Sequence, residues 1–344
     1  MNVTPKLAIE LVKDTLRAGL CPMLHGSPGT GKSDIVKSIC KEYKLFLIDL
    51  RLSQCDSVDL NGFPVINEKK TRGHYAPLDS FPLEGDKVPT GYNGWLLFCD
   101  EISSAALSVQ AAAYRLILDR EVGHNKLHKD VYIVAAGNLA TDKAIVNRMG
   151  TAMQSRLIHL NLEVNVEDWL DWANTNKIDY RITSFIKFKP NLLHNFNPNH
   201  KDNTFSCPRT WYFLHKIINP WEKIEPTKMP LLVGTVGEGV AYEFLSFTQV
   251  MESLPSIETI IAQAEILPIP DAPDVLYAIT GMVGHHINEA NSKQLIKFIS
   301  RLPMEFQIIC LQDVFKKNKE IKAVPEIRNW IKTNAPILAS RGVF

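Results

Sequence analysis

The sequence has no apolar run approaching the roughly 18 residues that a membrane span requires, so none is expected. It has no closely spaced cysteines. The six it carries (Cys21, Cys40, Cys55, Cys99, Cys207, Cys310) are scattered, without the spacing of a zinc or redox motif. Several sit in apolar runs and read as small buried hydrophobes in a reducing compartment. Neither charge dominates: 38 Lys and Arg face 37 Asp and Glu, a formal net charge of +1. That excludes the broad basic excess of a nucleic-acid binder and leaves only a local patch open. Lys6, Glu10, Lys13, Asp14 and Arg17 interrupt the N-terminal stretch, so it does not read as a signal peptide. There is no internal repeat and no low-complexity tract. A soluble, cytoplasmic protein is expected.

What is present is globular: 344 residues, 45% hydrophobic and 22% charged, enough for two or three packing units. Thr4-Pro5 reads as an N-cap and first helical residue. Leu7, Ala8, Leu11, Val12, Thr15 and Leu16 keep helical spacing, and Gly19 stops the helix. A short strand over 22–25, a glycine-rich loop and a helix over about 32–43 follow. Further strands are expected at 45–50, 95–100, 131–136 and 157–162. Those at 45, 95 and 131 are near-continuous apolar runs, as in a sheet covered on both faces. Helical stretches such as 104–119 lie between. The alternation predicts an α/β fold with a doubly wound parallel sheet. Past residue 163 the pattern turns helical, at 166–175, 209–218, 241–253, 292–299 and 306–315. Prolines punctuate it between Pro220 and Pro273.

Gly26-Ser27-Pro28-Gly29-Thr30-Gly31-Lys32-Ser33 fits G-x-x-x-x-G-K-[ST] between a strand and a helix, the setting of a phosphate-binding P-loop. Its glycines let backbone N–H groups turn inward onto phosphate oxygens, and the helix start adds positive charge. Lys32 is the candidate for the β- and γ-phosphates and Ser33 for a magnesium ion. A second apolar strand ends in Asp100-Glu101. Asp100 is a further magnesium ligand candidate, and Glu101 the candidate general base for an attacking water. Together the two motifs point to an NTPase.

With both motifs in view, the sequence resembles an AAA+ ATPase. Val134-Ala135-Ala136-Gly137-Asn138 matches that family's sensor-1 strand, implying that Asn138 orients the water. Ser155-Arg156-Leu157 falls where the family's arginine finger sits. Arg156 is the first choice for that finger and Arg148 the second. Phe205-Ser206-Cys207-Pro208-Arg209 is similar to the element that opens a lid helix, which implies a sensor-2 role for Arg209; Cys207 interrupts the usual S-P-R order. Over about residues 1–250 the chain looks like the MoxR-type branch.

The resemblance implies a P-loop AAA+ core over 1–165, with a helix-2 insert at about 59–77 and a hairpin at about 120–131. A smaller all-α lid over 166–255 and a C-terminal helical extension over 256–344, of open role, complete the division. It also implies ATP and Mg²⁺ as ligands, a homo-oligomeric, hexameric ring with ATP between protomers, and remodelling or assembly of a protein client. A separate von Willebrand-type domain protein is one option for that client; no D-x-S-x-S motif of such a module occurs in this chain. The alternatives are a DNA- or RNA-associated motor or loader, which the near-neutral charge disfavours, and an ATP-gated adaptor with little turnover. Lys69, Lys70 and Arg72 at the insert tip are a further candidate contact surface, whereas His285-His286 lacks companion metal ligands.

Overall fold

Parallel strands form the sheet that carries the site, in a computed structural model that describes residues 1–139, 147, 149–199, 202–318 and 320–340. The strands in chain order are β1 (Asn2–Val3), β2 (Cys21–His25), β3 (Leu45–Arg51), β4 (Phe63–Ile66), β5 (Gly73–Ala76), β6 (Gly94–Asp100), β7 (Glu121–Val122), β8 (Asn125–Lys126), β9 (Val131–Gly137) and β10 (Leu157–Leu162). The main sheet runs β1-β10-β2-β9-β6-β3 with every pair parallel. Two antiparallel pairs, β4-β5 and β7-β8, stand apart from it where the insert and the second hairpin are expected.

Alternate residues of the central strands go to opposite faces, and both faces are buried. On one side Met23, Leu97, Cys99 and Ala135 pack with Val109, Ala113 and Leu116 of the helix Leu107–Leu118. On the other, Leu24, Leu96, Phe98, Val134 and Ala136 pack with Ala8 and Val12 of Pro5–Arg17 and with Val36 and Ile39 of Lys32–Tyr43. Double burial explains the apolar runs that mark these strands in the sequence. Each fully buried Leu or Phe contributes about 1.5–3 kcal/mol of transfer free energy. Thr4 accepts from the Leu7 N–H at 3.4 Å, so the first helix starts where its cap predicts.

One local expectation is corrected and one element is added. The helix expected from residue 104 starts at Leu107; before it, Ile102–Ser104 is a tight 3-10 turn and Ala106 is extended. β1 was not anticipated, because two residues carry no readable period; pairing of Asn2 with Asn161 and of Val3 with Leu162 creates it.

The chain divides into two units, Met1–Asn165 with Asn197–Asn199, and Val166–Phe196 with His200–Phe344. The second is helical. Phe185 packs on Trp211, Phe244 and Phe247 with ring centroids 5.3–5.6 Å apart. Lys187 pairs with Asp313, and Asn174 donates to the same carboxylate at 3.4 Å. These bonds fasten the helices Val166–Thr175 and Tyr180–Phe188 to Met304–Lys317. The stretches 166–255 and 256–344 therefore share one unit.

Candidate functional site

Because every main-sheet pair is parallel, the C-terminal ends of the strands lie along one edge, where open α/β sheets place their ligands. Three polar groups leave that edge from adjacent strands. The P-loop follows β2, Asn138 follows β9, and Asp100-Glu101 closes β6; β9 lies between the other two.

The loop is shaped by its glycines. Gly29 (φ 79°) and Gly31 (φ 93°) occupy the left-handed region that a side chain disfavours. Gly31 is also the N-cap of Lys32–Tyr43, and no side chain caps that helix. An uncapped helix start is suited to an anion. Thr30 Oγ1 donates to the Ser27 carbonyl at 3.0 Å and ties the loop across itself. Lys32 Nζ donates to the Gly26 carbonyl at 2.6 Å, the Ser27 carbonyl at 3.1 Å and Asn138 Oδ1 at 3.2 Å. Ser33 Oγ donates to Asp100 Oδ2 at 3.4 Å. The sequence places Lys32 and Asn138 over a hundred residues apart; the fold puts them in one hydrogen bond.

Burial raises the Asp100 pKa above the usual carboxylate value. The Glu101 N–H and Lys32 pull it back, while the Glu101 and Asp49 charges add to the rise. A cation beside Asp100 would relieve that burial. Ser33 and Asp100 offer a hydroxyl and a carboxylate oxygen, a donor set that fits Mg²⁺, which takes its remaining ligands from water and substrate phosphates. Among the described residues no cluster of three or more His, Cys, Asp or Glu could hold a metal by itself.

Glu101 has φ 57° and ψ 29°, left-handed geometry uncommon for a non-glycine residue. Such conformations persist where surrounding structure over-determines them, commonly at functional sites. Its carboxylate accepts a hydrogen bond from Ser53 Oγ, in the 3-10 turn Leu52–Gln54 after β3. Sequence reading missed Ser53, which is 48 residues from Glu101 and in no motif. It also missed His25, the residue before Gly26. His25 Nε2 and His159 Nδ1 lie 2.8 Å apart, and His159 Nε2 is 2.8 Å from the Gln154 carbonyl. Burial first, then His159 and Lys32, lowers the His25 pKa from 6.5 to about 4.

Arg156 is exposed, donates to the Ala152 carbonyl at 2.9 Å and rests over the Tyr114 ring at 5.7 Å. Arg148 lies outside the described residues. Arg209 belongs to the second unit, exposed in the first turn of Pro208–Ile218, where Cys207 N–H donates to Thr210 Oγ1 at 2.8 Å.

The family model "ATPase family associated with various cellular activities (AAA)" matches residues 22–157. No curated protein matches the chain. Among solved structures, one similar chain is a protein assigned as an ATPase from Cytophaga hutchinsonii, 16% identical, covering 96% of this chain and 89% of that one at a TM-score of 0.35. Another is the RuvB Holliday junction branch migration motor of Thermotoga maritima, 14% identical over 76% of this chain and 75% of that one, TM-score 0.37. NtrX from Brucella abortus is 12% identical over 88% and 68%, TM-score 0.37. No helix among the described residues is long and apolar enough to cross a membrane. The matched stretch runs from the strand before the P-loop to the start of β10 and holds every group of the cluster: over residues 22–157 the chain is similar to an AAA-family ATPase domain.

Proposed function

We propose that this protein is a Mg-ATP-dependent ATPase of MoxR type that works as a ring and couples hydrolysis to remodelling of a protein client. The observation that carries the reading is the convergence of Lys32, Ser33, Asp100, Glu101 and Asn138 on one sheet edge, with Lys32 bonded to Asn138 and Ser33 to Asp100. Lys32 exchanges its contacts with the loop carbonyls for the β- and γ-phosphates of ATP. Gly26 through Gly31 wrap the phosphates with backbone amides. Ser33 and Asp100 would hold a magnesium ion, which would supply charge neutralisation at the phosphates. Glu101 takes the proton of the attacking water once its carboxylate leaves Ser53. Asn138 orients that water.

Arg156 is the arginine offered to a neighbouring copy's site. Its exposure and its brace against Tyr114 support that reading. Arg209 is proposed as the lid arginine, on its position in the first turn of its helix.

The test is assembly combined with turnover. Glu101→Gln protein given ATP is expected to sediment as a closed oligomer, and wild-type turnover per subunit should rise with protein concentration. A wild-type protein that stays single-copy while hydrolysing at full rate overturns the ring.

A further inference from the structure

Ser103 lies two residues beyond Glu101, in the turn Ile102–Ser104, and is buried with only 6% of its surface exposed. A buried hydroxyl needs partners. Its partner is the main chain of one residue in another strand's exit loop. Asn138 N–H donates to Ser103 Oγ at 3.1 Å, and Ser103 Oγ lies 3.4 Å from the Asn138 carbonyl oxygen. The approach depends on Gly137. A Cβ there would fall 2.6 Å from Ser103 Oγ and 2.9 Å from Met23 Cε.

The turn is itself braced from the far side. Asn147 N–H donates to the Ser103 carbonyl at 2.7 Å, Asn147 Nδ2 to the Ala105 carbonyl at 2.8 Å, and Gln110 Nε2 to the Ala105 carbonyl at 3.2 Å. Ser103 is thus fixed in space before it grips Asn138, and Asn138 in turn presents Oδ1 to Lys32 at 3.2 Å. No other side-chain hydrogen bond to the Asn138 main chain is formed among the described residues.

We propose that Ser103 is a positioning residue: it fixes the Asn138 backbone so that the Asn138 amide faces the phosphate end of the P-loop. The inference rests on the ATPase reading above. Ser103 acts through Asn138, on whose main chain both contacts of its hydroxyl fall. Without its hydroxyl, Asn138 keeps its side chain but loses its anchor, and the amide samples orientations that do not hold the water. Misplacement by about 1 Å is enough to cost turnover while leaving the phosphate cradle intact.

The experiment measures steady-state ATPase rates and ADP affinity for wild type, Ser103→Ala, Asn138→Ala, the double variant and Lys32→Ala. Ser103→Ala is expected to lower kcat about tenfold with KM and ADP affinity within about twofold of wild type. Since Ser103 acts through Asn138, the double variant should turn over within about twofold of Asn138→Ala. Wild-type kcat in Ser103→Ala, or a double variant slower by the product of the two single effects, overturns the inference. Should Ser103→Ala fail to fold, Ser103→Cys decides in its place. It keeps the volume with weaker hydrogen bonds, so a reduced kcat supports the anchor and a wild-type kcat overturns it. Lys32→Ala separates the two levels: full turnover in that variant sinks the ATPase reading, whereas an inactive Lys32→Ala beside a fully active Ser103→Ala sinks only the role of Ser103.

Discussion

Ser53 donates its hydroxyl hydrogen to the Glu101 carboxylate, joining the turn after β3 to the end of β6. That bond tethers the carboxylate to the turn and keeps it from meeting a water. Ser53→Ala should therefore raise basal ATP turnover by about two- to tenfold with KM unchanged. Phosphate-release kinetics check this; an unchanged or lower rate means that Ser53 does not restrain Glu101.

Lys32→Ala removes the cation that now bridges the Gly26 and Ser27 carbonyls and Asn138. ATP affinity should fall by about a hundredfold or more, since a charge-assisted bond is worth roughly 1.5–3 kcal/mol and this group makes several with phosphate. Calorimetric titration reads the outcome, and wild-type affinity would remove Lys32 from the cradle.

Glu101→Gln keeps the shape and discards the base. ATP should bind as in wild type while turnover drops by about 10²–10⁴. Phosphate release at the wild-type rate assigns proton removal to another group.

Arg156 is the residue to test for action across a subunit joint. Arg156→Ala should bind nucleotide normally and lose about 10³ or more in rate. Mixing Arg156→Ala with Lys32→Ala should restore part of the activity, because each supplies what the other lacks. Two inactive proteins that stay inactive together argue against a shared site.

The His25–His159 pair gives a pH dependence with a definite sign. His25 binds its proton near 6.5 when unfolded and near 4 when folded. Between those values the unfolded chain holds more protons, so acidification favours unfolding. The contribution is intact above about 6.5 and gone below about 4. Thermal unfolding of nucleotide-free protein, followed from about pH 7 to about pH 4.5, should show a smaller decline for His25→Asn than for wild type. Parallel curves would mean that the pair is not linked to folding.

The P-loop was legible because its chemistry is local. Lys32 and Ser33 must follow Gly31 directly, and the left-handed turn there favours glycine, so residue order itself records the site. The Asp100-Glu101 strand was legible for a related reason: a strand buried on both faces is written as an unbroken apolar run, and its first carboxylates mark where burial ends. Ser53 and Ser103 left no such trace. A serine in a short turn has no period and fits many roles.

Sequence alone determined the alternation of strands and helices, the phosphate loop and the acidic strand end, since these follow from residue size, polarity and backbone freedom within a few positions. Tertiary structure alone decided that β9 lies between β2 and β6, that Lys32 meets Asn138, and which serine holds which partner. Those contacts depend on strand order and register, which arise from packing whole faces against one another and are not encoded in any single stretch.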